Sequence, residues 1–343
     1  MAILDKDQLY MLRALELASK GLGTVSPNPM VGCVIVNNDK IIGEGWHQKF
    51  GEPHAEVNAI ESVKDKSLLT KSTVYVTLEP CSHQGKTPPC ADLLVKHRVK
   101  EVKIANVDSN PLVAGSGVKR LEENGIKVTT GILEAEGREL NKRFFTFIEK
   151  KRPYIILKWA QTTDGFIARK DYDSKWISGP QSRKLVHKWR TEEAGIMVAT
   201  HTAKYDNPNL NARDWEGENP VRIVIDKKLE LPDSLNLFDG IIPTLCYNIK
   251  KNRSCNGVEW IKVHKETLIE QLLDDLYQRG IQSVFVEGGA ALHKSLINAR
   301  LWDEARVFVA DTIFGGGIDA ARISLPHQQE LIGQDKLLVY RNK

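Results

Sequence analysis

Two cysteines, Cys81 and Cys90, stand with eight residues between them in "LEPCSHQGKTPPC" (78–90), a stretch stiffened by three prolines. Just upstream, "EPHAEVNAI" (52–60) offers an imidazole, His54, and two residues later a carboxylate, Glu56. Two thiolates and an imidazole suit a divalent zinc, and three protein ligands leave a fourth position open to water, the arrangement of a catalytic site. Zinc lowers the pKa of such a water toward neutrality. If the reaction expels an amine, a proton carrier is also needed, and Glu56 is placed to be that shuttle without binding metal. Cys90 immediately precedes the helical pattern "ADLLVKHRV", so a helix N-terminus favours its thiolate, and Pro88 and Pro89 preset the entry. His47 and His83 compete with His54 as the nitrogen ligand; His83 is the weaker rival because it lies only two residues from Cys81.

The elements that must hold these groups follow from the apolar pattern. Short strands "VGCVIVNN", "KIIGEGW", "STVYVTLEP" and "EVKIANVD" alternate with helical "PHAEVNAIESV" and "CADLLVKHRV", which predicts an α/β sheet with helices on its faces. An amphipathic helix with Leu9, Leu12 and Leu15 at helical spacing opens the chain, and a further helix is predicted over 134–148. "EKKRP" (149–153) then breaks the pattern, placing a domain boundary near residue 150, so that 1–150 and 151–343 form two domains. The second begins afresh with "YIILKWA" and continues through "GIMVAT", "VRIVID", "IPTLCYN", "VEWIKVH", "SVFVEGG" and "EARVFVAD", with helices around 181–190, 265–279 and 290–300.

Composition narrows the class. Apolar residues make up 41% and charged residues 27% of 343, as in a globular protein, and no apolar run approaches the roughly 20 residues of a membrane helix. Five cysteines are too few for a disulfide framework in a chain this long. The early acids of the N-terminus are unlike a secretion signal, which points to the cytoplasm. A net charge of +4 without a block of consecutive Lys and Arg predicts no nucleic-acid partner. Cys33, inside "VGCVIV", reads as a core residue, and Cys246 and Cys255 have no metal role.

His-x-Glu followed by Pro-Cys-x-x-Cys marks the zinc-dependent nucleobase deaminases. Here His54-Ala55-Glu56 is intact, whereas Pro80-Cys81 is followed by Cys90 only after a longer insert, "SHQGKTPP". That insert, with "SPNPMVGCVIV" (26–36) and "VDSNPLVAGSGVKRLEENGI" (107–126), resembles the riboflavin-pathway branch of the cytidine-deaminase-like superfamily over nearly all of 5–150. The resemblance implies a cytidine-deaminase-like three-layer domain with His54, Cys81 and Cys90 on zinc and Glu56 as proton carrier. It also implies that Asn28, His47, His83 and Lys86 face the substrate, a pyrimidine nucleotide that is a small molecule.

In the second half no G-x-G-x-x-G follows an early strand, so the usual dinucleotide fingerprint is missing. A junction of strand, Gly288-Gly289 and helix hints at phosphate but is common in turns. "LKWAQTTDGFIA" (157–168), "DSKWIS" (173–178), "YDNPNLNAR" (205–213) and "VEGGAALHKSLI" (286–297) resemble the reductase half of the bifunctional riboflavin-biosynthesis enzymes, a dihydrofolate-reductase-like α/β domain that uses NADPH. The resemblance implies cofactor contacts from Ala160, Trp176, Thr202, Asp206 and Gly289. For the sugar phosphate and base it implies Ser174, Arg190, Leu210, Arg213 and Glu287, two arginines being suited to a phosphate by their bidentate forks. Lys158 and Glu287 are placed to polarise an imine and manage its proton. Thr163 departs from the apolar residue usual before Asp-Gly, which predicts altered local packing. The rival readings are a tRNA adenosine deaminase with a C-terminal binding domain, and a decayed zinc scaffold. A homo-oligomer is compatible with the sequence.

Overall fold

The structure, a computed structural model, describes residues 4–83, 88–110, 114–174 and 177–342. The chain forms two compact units, Met1–Lys151 and Arg152–Lys343.

In the first unit, α1 (Lys6–Ser19) starts at a capping box: the Asp5 carboxylate accepts from the Gln8 N–H, and the Gln8 side chain accepts from the Asp5 N–H. The helix lies where the pattern puts it, but its apolar face is rotated. Leu15 is buried with Met11, Ala14 and Ala18, whereas Leu9 and Leu12 remain 52% and 38% exposed. Small side chains take this face because β1 (Gly32–Asn37) presses against it; a Cβ on Gly32 would lie 2.0 Å from the Ala14 carbonyl oxygen.

Strand β1 pairs antiparallel with β2 (Lys40–Trp46) and β3 (Thr73–Leu78), and parallel pairing continues to β4 (Glu101–Asn106) and β5 (Lys127–Thr130), giving the order β2-β1-β3-β4-β5. Successive side chains point to opposite faces. Cys33, Ile35, Val74 and Val76 enter a core shared with α2 (Ala55–Ser62), α3 (Cys90–Lys96) and α4 (Ser116–Glu123); Val34, Val36 and Tyr75 enter another shared with α1. Three layers result. The single helix predicted over 134–148 is instead α5 (Glu134–Leu140) and α6 (Lys142–Lys150). The break falls at Asn141, whose buried amide accepts from the Met30 N–H and donates to the Met30 carbonyl, each at 2.8 Å.

The second unit holds β6 (Tyr154–Thr162), β7 (Phe166–Ala168), α7 (Pro180–Glu192), β8 (Gly195–Ala199), α8 (Thr200–Asp206), β9 (Val221–Ile225) and β10 (Thr244–Asn248). It continues with β11 (Arg253–Cys255), β12 (Val258–Lys262), α9 (Leu268–Gln278), β13 (Ser283–Val286), α10 (Ala290–Asn298) and β14 (Glu304–Ala310). Three short strands close it: β15 (Ile318–Asp319), β16 (His327–Ile332) and β17 (Asp335–Arg341). Ten strands form one sheet in the order β11-β12-β10-β9-β8-β13-β6-β14-β17-β16, parallel from β12 to β14 and antiparallel at both edges; β7 and β15 pair separately. Helices cover both faces: Val186 and Trp189 of α7 pack with Ile156, Phe285 and Phe308, while α9 and α10 cover Ile155, Leu157, Val284 and Val286. The β16–β17 hairpin escaped the sequence reading because "HQQELI" is polar and exposed along most of its length. Among the described residues no helix is long and apolar enough to cross a membrane.

Candidate active sites

Strand β3 leads directly into Glu79, Pro80 and Cys81, and two helices begin beside it: His54 is the N-cap of α2 and Cys90 the first residue of α3. His54 Nδ1 lies 3.7 Å from Cys81 Sγ and 3.3 Å from Cys90 Sγ, and the three ligand atoms fall within 4.8 Å of one another. Tetrahedral zinc with its usual bond lengths separates a sulfur and a nitrogen ligand by about 3.5 Å. The residues fit that ion in chemistry and in spacing. The hydrogen bond from Cys90, and after it His54, pulls the Cys81 thiol well below its ordinary value, while the hydrogen bond to Cys81 and burial push Cys90 up. A divalent cation would replace the proton of that bond. Glu56, 3% exposed in the first turn of α2, is pushed up to about 7 by burial and then by the Cys81 charge.

Asn28 and His47 join this group. The Asn28 amide meets His47 Nε2 at 3.1 Å, and His47 Nδ1 meets the Pro53 carbonyl oxygen at 3.2 Å. Because a carbonyl only accepts, Nδ1 carries the proton and Nε2 accepts from the amide; burial holds the ring's pKa low. The His47 ring stands edge-on to His54 with centroids 5.5 Å apart, beside the three-ligand cluster but outside it. His83 is exposed and also outside the cluster. Lys86 lies outside the described residues.

The second unit has a cleft of about 990 Å³ at the carboxyl ends of β6, β8 and β13, the place where an open parallel sheet receives ligands. Lys158, Ala160, Ser174, Arg190, Thr202, Asp206, Leu210, Arg213, Glu287 and Gly289 all line it; Trp176 lies outside the described residues. Arg190 Nε donates to Glu287 Oε1 at 2.6 Å and Nη2 to Oε2 at 2.9 Å, and Lys158 Nζ stands 3.7 Å from Oε2. Burial alone would raise the Glu287 pKa, but Arg190 and then Lys158 outweigh it and hold the carboxyl at about 2. Burial lowers the Lys158 pKa, with Glu287 opposing.

Arg190 lines the cleft with its fork on Glu287, and its Nη1 donates to the Asn211 carbonyl at 2.8 Å. Arg213, with 53% of its side chain exposed, lines the cleft with its Nε 3.8 Å from Asp214 Oδ2. Thr163 is tied to the neighbouring segment: its hydroxyl donates to the Ala310 carbonyl and its N–H to the Thr312 carbonyl, each at 2.9 Å. Sequence reasoning missed His187, a buried cleft residue with Nε2 3.1 Å from Asp214. Its signal was its place one helical turn before Arg190.

Known proteins share both halves. Residues 4–106 match the cytidine and deoxycytidylate deaminase zinc-binding region, and residues 153–331 match the RibD C-terminal domain. Riboflavin biosynthesis protein RibD of Bacillus amyloliquefaciens is 42% identical over 93% of this chain and 88% of that one; RibD of Aquifex aeolicus is 40% identical over 96% and 93%. A crystal structure from Thermotoga maritima, a diaminohydroxyphosphoribosylaminopyrimidine deaminase/5-amino-6-(5-phosphoribosylamino)uracil reductase, has a TM-score of 0.89 at 38% identity and covers 98% of each chain. The tRNA-deaminase alternative finds no support, because the second half matches a RibD domain rather than a nucleic-acid-binding module. With the same two architectures in the same order over almost the whole length, the chain belongs to the riboflavin biosynthesis protein RibD family.

Proposed function

We propose that this chain deaminates 2,5-diamino-6-(5-phosphoribosylamino)pyrimidin-4-one at a zinc held by His54, Cys81 and Cys90, and then reduces the ribosyl side chain to ribityl with NADPH in the cleft of the second unit. The reading is carried by one observation: two sulfurs and an imidazole nitrogen converge within 4.8 Å, with the buried Glu56 carboxyl in the adjoining helical turn. Zinc, when bound, supplies the Lewis acidity that makes water nucleophilic near neutral pH. Glu56 would carry one proton of that water to the ring nitrogen and the second, from the hydroxyl left on the carbon, to the amine, so that the carbonyl forms as ammonia leaves. Asn28 and the Nδ1–H tautomer of His47 form a neutral wall that orients the pyrimidine.

In the cleft, NADPH, when bound, supplies the hydride that adds to the imine carbon of the opened ribosylamine. The imine nitrogen must gain a proton in the same reaction. Glu287, held ionised by Arg190, has none to give, so Lys158 is the donor, and its burial eases that transfer. Arg213 receives the sugar phosphate through its accessible fork. The substrate is a small nucleotide, and the setting is cytoplasmic.

Mass spectrometry of the products from zinc-loaded protein, with and without NADPH, tests both halves. The deaminated pyrimidinedione should accumulate without cofactor and the ribityl product should appear with it. Deamination that NADPH leaves unchanged would remove the reductase reading; absence of deamination would remove the zinc reading.

A further inference from the structure

The side chain that introduces the metal loop takes no part in the chemistry above. Glu79 is 4% exposed, and its carboxylate accepts four backbone N–H groups. Gly117 (2.7 Å) and Val118 (3.1 Å) donate to Oε1, and Asp108 (3.1 Å) and Gly115 (3.0 Å) donate to Oε2. A buried carboxylate is tolerable only when its lone pairs are satisfied. Here backbone donors satisfy them, two from the first turn of α4, whose N–H groups have no partner within the helix. The negative charge also faces the positive end of that helix.

Two further contacts close the same joint. Ser82 Oγ and Ser116 Oγ are 2.7 Å apart. Gly117 approaches so closely that a Cβ there would lie 2.1 Å from the Pro80 carbonyl oxygen. Segments 79–82 and 115–118 therefore interleave around one carboxylate, and Cys81 sits within the first of them. On its other side Cys81 is tied to α3, its carbonyl accepting from the Ala91 N–H at 3.1 Å and its Sγ from the Cys90 N–H at 3.3 Å.

We propose that Glu79 is a positioning residue of the deaminase site: its carboxylate is the internal anion that holds Asp108 and residues 115–118 against the metal loop and thereby fixes Cys81 at its ligand distance from His54 and Cys90. The proposal rests on the reading of that cluster as a zinc site. Four converging donors call for an acceptor-only group; an amide would turn its NH₂ toward two of them and leave both unpaired. The loop carrying Cys81 would then lose its anchor on one side.

The test is Glu79→Gln in the full chain. Zinc affinity is measured by competition with a chromogenic chelator, ligand geometry by the d–d absorption of the cobalt-substituted protein, and folding of the other unit by reductase kcat/KM on the deaminated substrate. Zinc affinity should fall about tenfold, the size typical of losing a group that orients a metal ligand. The cobalt spectrum should shift and reductase kcat/KM should stay unchanged. Wild-type zinc affinity with a wild-type cobalt spectrum would overturn the proposal even if the melting temperature fell, because Glu79 would then be structural only. A wild-type chain that binds no zinc overturns the zinc reading and the proposal with it, and shows itself without any variant. Should Glu79→Gln fail to fold, Val118→Pro removes one donor in the first helical turn, where proline is tolerated; it should shift the cobalt spectrum in the same sense, and an unshifted spectrum would overturn the proposal.

Discussion

Replacing Glu287 by glutamine removes the charge at the centre of the cleft while keeping the side chain's shape. The carboxyl drops from an ordinary 4.5 to about 2 in the fold. At 1.36 kcal/mol for each pH unit, that difference makes the ionised form a stabilisation of about 3 kcal/mol in this fully buried position. Because the folded-state value is depressed, the stabilisation is fully present above about pH 4.5 and is lost as pH falls toward 2. At pH 3.5, protonation of the unfolded chain has removed roughly 1.4 kcal/mol of it, leaving about 2 kcal/mol. Urea unfolding followed by tryptophan fluorescence measures this, since six of the seven tryptophans lie in Arg152–Lys343. The gap between wild type and Glu287→Gln should be about 3 kcal/mol at pH 7 and narrow toward pH 3.5. A gap below about 1 kcal/mol at pH 7, the size of an exposed ion pair, or one that does not narrow on acidification, would refute the reasoning that Arg190 and Lys158 outweigh the burial of this carboxylate.

Three other variants probe separate links. Glu56→Gln should lower deamination about a thousandfold, the scale of lost general acid and base catalysis, with one zinc still bound by atomic absorption; loss of the metal would make Glu56 a ligand instead. Gly45→Ala should destabilise the first unit by about 1–3 kcal/mol, because the new Cβ would lie 2.3 Å from the Ala59 nitrogen and push α2, with His54 at its start, away from β2. An unchanged midpoint for thermal loss of deaminase activity would contradict this. Arg222 is 2% exposed and donates to the carbonyls of Asn209 and Asn236, each at 3.0 Å, and to Asp239 at 2.7 Å. Arg222→Met should therefore remove these charge-assisted hydrogen bonds, destabilise the second unit by about 2 kcal/mol, and raise the reductase KM through the neighbouring Leu210; an unaltered KM would detach Arg222 from the substrate loop.

Sequence alone determined the residue types that chemistry cannot replace and the local backbone around them. His54, Glu56, Cys81 and Cys90 stand out because a zinc-dependent hydrolysis needs those donors, and the starts of α2 and α3 follow from patterning within a few residues of each. Strands β1 to β4, β6, β8 to β10 and β12 to β14, with most of the helices among them, were readable for the same reason, since short apolar runs are a local property. Tertiary structure decided the rest. The apolar face of α1 depends on how closely Gly32 approaches Ala14, and the break at Asn141 depends on Met30, 111 residues away. Arg190 and Glu287, 97 residues apart, meet because β13 inserts between β8 and β6 in the sheet. Glu79 looks like one more acid beside Pro80-Cys81 until the N–H groups of four residues, the farthest 39 positions along, close around it. Residue type and local conformation are written along the chain, whereas the partner that sets a buried charge or turns a helix face is chosen by long-range packing, which no window of sequence contains.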